Sequence, residues 1–490
     1  MMVMGAWLRV GKTGMDRRGT GSSLWRGFAA AAALAGGVPA AMAQDAQPTR
    51  SPPSANQDGL RPVLNSDGGR TLRFDWPMLS IGTGEYEEGP TGVTVFRFGR
   101  KVHGAVDVRG GAPGTVNTDF LRLGYETPDL DAVVFAGGSW YGLEATTAVD
   151  TALKDDGVRS GYWDNIGLAV GAIIYDFGGR RLNEIYPDKR LAQAALRAAR
   201  PGTFPLGARG AGRSAMTGSL FGCDAHSGQG GAFRQVGPVK IAAFTVVNAF
   251  GAVTDREGKL AACYPDPAWP KDVKTSQLLT DFSEKRLSGL LAASADKGRK
   301  NTTVSLVVTN VKMSPAELQR LAIQVHSSMA RGIQPFQTMF DGDVLYAVST
   351  DEVDPGQATL GFGSVDVATL ASEAMWDAIL ASVPPQPAAP VPAKRAVAGQ
   401  AVLEGYAGDY RFSPIAELRV TAREGKLFGE ATGKYDVFAV KRGQPVELLP
   451  VTATDFTVPG RYPMLLRFDG KGTLTVNPGS WQQVAQRTAR

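Results

Sequence analysis

Histidine is scarce in this chain: there are three in 490 residues, His103, His226 and His326. No HExxH or comparable ligand cluster is present, so no catalytic metal is expected. No G-x-S-x-G elbow occurs, and Ser139 in GGSWYG has the wrong spacing for one. A Walker A motif and a strand-linked G-x-G-x-x-G are both missing, so no nucleotide cofactor is expected. Cysteine is scarcer still, with only Cys223 and Cys263. Two thiols make no Cys-based metal cage. In an oxidising compartment they could pair or remain free, and sequence alone does not decide their geometry. Net charge is only +5, and no basic stripe with interleaved aromatics is present, so nucleic acid is not an expected partner.

What is present starts with an export pattern. Arg17, Arg18 and Arg26 precede a short apolar core, FAAAAALAGG (28–37), and Ala41-Met42-Ala43 offers a cleavage site before Gln44. The core is too short, and its surroundings too rich in Gly and Pro, for a membrane anchor. The expectation is a signal peptide over 1–43, a periplasmic or secreted product, and no membrane association after its removal. Residues 44–70 read as a flexible lead-in. Strand and helix patterns then alternate over 71–383, which predicts α/β layers. Ser314-Pro315-Ala316-Glu317 is a capping box with proline at the first helical position. A Pro/Ala linker spans 384–400, and short alternating strands over 401–490 predict a small accessory β domain, a barrel or a sheet.

The dipeptide Asn301-Thr302 stands just before the period-2 run TVSLVVTN (303–310), after the soft stretch AASADKGRK (292–300). If the chain cuts itself there, Thr302 carries a hydroxyl and a free α-amine, so one residue supplies both nucleophile and base. A free α-amine titrates near ~7.7–8.0 and needs no histidine beside it. Ser294-Ala295-Asp296-Lys297 matches S-x-x-K, but the neighbouring signatures of that enzyme class are missing. Asp341-Gly342-Asp343 is read at the start of a strand, where residues two apart share a face and could anchor the threonine. A polar turn explains the same residues. Asn248 could donate to an oxyanion, and Tyr175 could lend a phenol; each could equally be a packed core residue. Trp140 and Tyr141, at a glycine turn, are candidates for the substrate path.

The segments LRFDWPMLSIG, YEEGPTGVTV, AVDVRGGAPG, IIYDF, GQGGAFR, NTT, TNVKMSPAEL, QVHSSMARGIQPF and DGDVLYAVSTDE occur in one order. Together they resemble the P1 family of self-processing L-aminopeptidase/D-esterase and β-aminopeptidase enzymes. Within it they are most similar to the nylon-oligomer (6-aminohexanoate-oligomer) endohydrolases. The resemblance implies a layered α-β-β-α sandwich, similar to N-terminal nucleophile hydrolases, cut between Asn301 and Thr302. It implies that Thr302 is the nucleophile, that Asn248 and Tyr175 serve the oxyanion, and that Asp341 and Asp343 orient the threonine. It also implies oligomers, often tetramers of processed heterodimers, and no cofactor. The nylon-oligomer hydrolases carry an active-site lysine after the small-residue run matched by GAGRSAMTG, and here Ser219 holds that place. The expected activity is hydrolysis of peptides, β-peptides or ω-amino-acid oligomers through an acyl-enzyme. An acyltransferase using the same threonine and a non-catalytic periplasmic binding protein are the alternatives.

Overall fold

The computed structural model describes residues 57–488 apart from 67–68, 123, 125–127, 282–300, 356–362 and 395–397. The expected leader and the S-x-x-K stretch lie outside the described residues. Among the described residues no helix is long and apolar enough to cross a membrane.

The strand Thr302–Val311 is buried along its whole length. Its side chains alternate between two cores. Val304, Leu306 and Val308 face a central cluster with Phe96, Phe135 and Phe244, while Val307 and Val311 face a second cluster. Burial of each such aliphatic side chain stabilises the fold by about 1.5–3 kcal/mol. The strand pairs antiparallel with Val239–Asn248 and parallel with Val344–Val353. A parallel pair needs a crossover, and the capped helix Pro315–Ser328 provides it. Ser314 accepts from the Glu317 N–H and Glu317 accepts from the Ser314 N–H, as the capping box predicts.

The 18-residue strand Thr91–Val108 joins two sheets. Thr91–Phe98 pairs with Leu79–Tyr86, residues between Val93 and His103 pair with Asp129–Ala136, and His103–Val108 pairs with Val344–Val353. The register slips between Arg97 and Val102, where the strand passes from one layer to the other. Helices Pro315–Ser328 and Ser364–Ala381 cover one sheet. Helices Glu144–Asp155 and Lys189–Arg197 cover the other. The central aromatic and aliphatic core lies between the sheets. The architecture is therefore an α-β-β-α sandwich.

After the short helix Gln400–Tyr406 the chain forms a closed eight-stranded barrel from Gly408–Ser413 to Gln483–Arg487. Closure leaves no free sheet edge. Leu418 and Val420 point inward while Arg419 is exposed, the alternation expected of a small barrel. Leu182 of the sandwich is buried in the barrel's core cluster. Cys223 and Cys263, left open by sequence, form a disulfide across a separation of 40 residues.

Candidate active site

Asn301 and Thr302 open the central strand, and Thr302 lies directly across from Asn248 in the antiparallel ladder. Both are buried, Thr302 at 3% exposure. The Thr302 hydroxyl donates to the Asn301 carbonyl oxygen at 2.5 Å. The Gly342 N–H donates to that same oxygen at 2.8 Å. One carbonyl thus has the hydroxyl of the next residue on one side and a fixed backbone donor on the other.

Asp341-Gly342-Asp343 precedes its strand, which begins at Val344. Asp341 forms a parallel bridge with Asn301, and Gly342 and Asp343 lead from it into the strand, while the two carboxylates take backbone N–H groups. Asp341 accepts from the N–H groups of Thr338 (3.1 Å) and Phe250 (3.1 Å). Asp343 accepts from Thr303 (2.6 Å) and Gln337 (3.0 Å). Asp343 thus holds the residue that follows Thr302. Gly110 explains how this segment lies so close to the neighbouring strand end. A Cβ there would stand 2.2 Å from the Asp343 nitrogen and 2.4 Å from the Asp341 oxygen. Burial lifts both carboxyls above their ordinary range, and the charge of Asp341 lifts Asp343 further, against the pull of its N–H donors.

Asn248 donates from Nδ2 to the Tyr175 carbonyl at 3.0 Å, and its Oδ1 accepts the Met216 N–H at 3.1 Å. A carboxamide nitrogen carries two N–H groups, so one bond to Tyr175 does not exhaust it. Tyr175 is fixed from its other side by a buried ion pair. Arg181 binds the Asp176 carboxylate at 2.8 Å with both side chains at 0% exposure, and Thr91 and the Gly138 N–H complete that carboxylate's bonds. Burial raises the Tyr175 phenol's pKa.

Arg180 was not legible in sequence. Its Nη2 donates to Asn301 Oδ1 at 3.0 Å, which places a cation over the dipeptide. Nothing local distinguishes it among 52 lysines and arginines. Gly342 was equally hidden, because its role is a backbone N–H set by tertiary contact.

A cleft of about 430 Å³ adjoins this cluster and is lined by Tyr175, Arg180, Met216 and Ser219 from the sandwich. Ser219 Oγ is buried without a hydrogen-bond partner among the described residues. Tyr141 lines a smaller adjoining cavity of about 170 Å³ with Tyr175, whereas Trp140 is half exposed and lines neither. The three histidines are engaged elsewhere: His103 with Asp129, His326 with Asp107, and His226 with Tyr462. Among the described residues no group of three or more His, Cys, Asp or Glu is placed to hold a metal ion.

The chain is 43% identical over 325 residues to a 6-aminohexanoate-oligomer endohydrolase of Kocuria sp., covering 65% of this chain and 87% of that protein. It is 44% identical over 329 residues to a protein of the same name from Agromyces sp., covering 66% and 88%. It is 33% identical over 309 residues to an uncharacterised aminopeptidase of Mycobacterium leprae, covering 61% and 81%. The description "Peptidase family S58" matches residues 75–387. The resemblance to nylon-oligomer hydrolases is borne out, and the chain belongs to peptidase family S58, as a peptidase/amidohydrolase.

Proposed function

We propose that this chain is an amide hydrolase that cuts itself between Asn301 and Thr302 and then uses Thr302 as its nucleophile. The observation that carries the reading is the pair of contacts on the Asn301 carbonyl oxygen, Thr302 Oγ1 at 2.5 Å and the Gly342 N–H at 2.8 Å. In the self-cleavage, Oγ1 adds to the Asn301 carbonyl carbon. Charge develops on the oxygen held by Gly342, the electrostatic aid a fixed donor gives. The C–N bond breaks, the hydroxyl proton goes to the Thr302 nitrogen, and an ester remains. Water hydrolyses the ester, leaving a carboxylate on Asn301 and a free amine and hydroxyl on Thr302.

In turnover the Thr302 amine takes the hydroxyl proton as Oγ1 attacks the substrate amide. The second N–H of Asn248 and the Tyr175 phenol serve the new oxyanion. Asp341 and Asp343 fix the paired segments that present the threonine. The departing amine takes the proton, and water then releases the acid from the acyl-enzyme. Arg180 is positioned to hold the new Asn301 terminus or a substrate carboxylate. Substrates are peptides, β-peptides or ω-amino-acid oligomers, in line with the names of the relatives. Export, with cleavage after Ala43, agrees with the disulfide, and the processed enzyme assembles as an oligomer. Intact mass tests the first step: wild type yields pieces ending at Asn301 and starting at Thr302, whereas Thr302→Ala stays whole and inactive. Hydrolysis by Thr302→Ala would point to another nucleophile.

A further inference from the structure

The family match stops at residue 387, yet the cleft beside Tyr175 and Arg180 has a second wall that comes from the barrel beyond it. Tyr435, Phe438 and Lys441 stand in that wall, and Tyr462 closes its inner side. The rings of Phe438 and Tyr462 are parallel, with centroids 5.6 Å apart.

The wall is fixed in place. The His226 ring stacks on Trp481 at 3.7 Å and its Nε2 meets the Tyr462 hydroxyl at 3.1 Å. Trp481 donates to the Arg213 carbonyl at 3.1 Å. Arg461 donates to the Tyr264 carbonyl at 2.9 Å and to the Phe221 carbonyl at 3.1 Å. Those two carbonyls flank the Cys223–Cys263 disulfide, which ties together both points that Arg461 grips. The anchors fall on the segment that also carries Met216 and Ser219, so the barrel is held where the cleft is formed.

We propose that the barrel is the far wall of the substrate site, and that Tyr435 and Phe438 close it into a short compartment for short linear amides of two or three ω-amino-acid units. This rests on reading the Thr302 cluster as the reacting centre. The chemistry of the compartment fits such a zwitterionic chain. Aromatic faces, Tyr175 on one side with Tyr435 and Phe438 on the other, suit an extended methylene body. Arg180, Lys441, Asp224 and Asp436 bring both signs of charge to the same cleft, Lys441 and Asp436 as an ion pair at 3.2 Å. Asp436 stays ionised because the Arg442 N–H and the Lys441 and Arg442 cations hold its pKa down, against the effect of its partial burial. The cleft volume of about 430 Å³ lies at the small end of ordinary ligand pockets, ~300–1,000 Å³.

The test uses full-length chains. Calorimetry on Thr302→Ala, which reads binding without turnover, compares the linear dimer of 6-aminohexanoate with a long oligomer. The same measurement is made with Tyr435→Ala added, a half-exposed position whose truncation leaves the barrel core untouched. The expected result is tighter binding of the dimer than of the long oligomer, and a loss of ~5–10-fold for the dimer in Tyr435→Ala. Equal affinity for both lengths, no dimer binding, or an unchanged dimer affinity in Tyr435→Ala overturns the wall. Dimer binding that depends on Tyr435, in a protein whose wild type is never cut, supports the wall and refutes the nucleophile reading.

Discussion

Replacing Gly342 by alanine tests the self-cleavage geometry at one atom. A Cβ at this position would stand 2.6 Å from the Ala112 carbonyl oxygen and 2.8 Å from Thr302 Oγ1. Both distances are below normal contact, and the first is to backbone, which cannot swing aside. The backbone at Gly342 must shift, and with it the N–H that donates to the Asn301 oxygen at 2.8 Å. Removal of one oxyanion donor costs ~10²–10³ in rate, or about 2.7–4 kcal/mol. The Cβ also crowds the attacking hydroxyl, so the upper part of that range is expected. The assay is intact mass against time on freshly purified, uncut protein, with circular dichroism to establish that the variant is folded. A folded Gly342→Ala chain that cuts at the wild-type rate would refute the role given to this N–H.

Other perturbations read other parts of the structure. Arg181→Met leaves Asp176 buried without its cation, which costs ~3–5 kcal/mol, and it loosens the loop that carries Tyr175; urea unfolding measures the first and substrate kcat the second. Burial holds the His226 pKa down to about 3, against ~6.5 in the unfolded chain, so between these values the unfolded chain binds a proton that the folded chain refuses. Stability is therefore full above pH ~6.5 and falls as pH drops towards 3, by up to ~5 kcal/mol. His226→Phe keeps a ring against Trp481 and should flatten that fall, and an identical acid profile would contradict the assignment. The Cys223→Ser/Cys263→Ser pair opens a 40-residue loop worth ~4 kcal/mol in the chain-entropy model. A drop in the unfolding midpoint is expected, and an unchanged midpoint would show that the barrel anchors hold without the disulfide.

Much of the sandwich was legible because its elements are local. TVSLVVTN declares its two faces by alternation, and Ser314 to Glu317 declares a helix start by chemistry that needs no tertiary partner. The even strand spacing of 401–490 announced a small β-barrel or sheet without deciding between them, and the structure closes it into a barrel. Asp341 and Asp343 were seen as candidates at the start of a strand, and Asp341 bridges Asn301 just ahead of the strand that begins at Val344. What holds their carboxylates is a set of N–H donors from Thr338, Gln337, Phe250 and Thr303, which only the fold brings together. Arg180 and Gly342 escaped for the same reason. One is an arginine among many, and the other acts through its backbone. The barrel's place at the cleft was beyond sequence reasoning, because Tyr175 and Tyr435 are linked by docking contacts and by no shared pattern.

The most direct test of the account is the intact mass of the purified full-length protein after prolonged incubation, followed by N-terminal sequencing of the smaller piece. The account predicts two pieces with Thr302 as the new N-terminal residue, and no cleavage in Thr302→Ala. A chain that stays whole while hydrolysing amides, or one cut at any other bond, would contradict it.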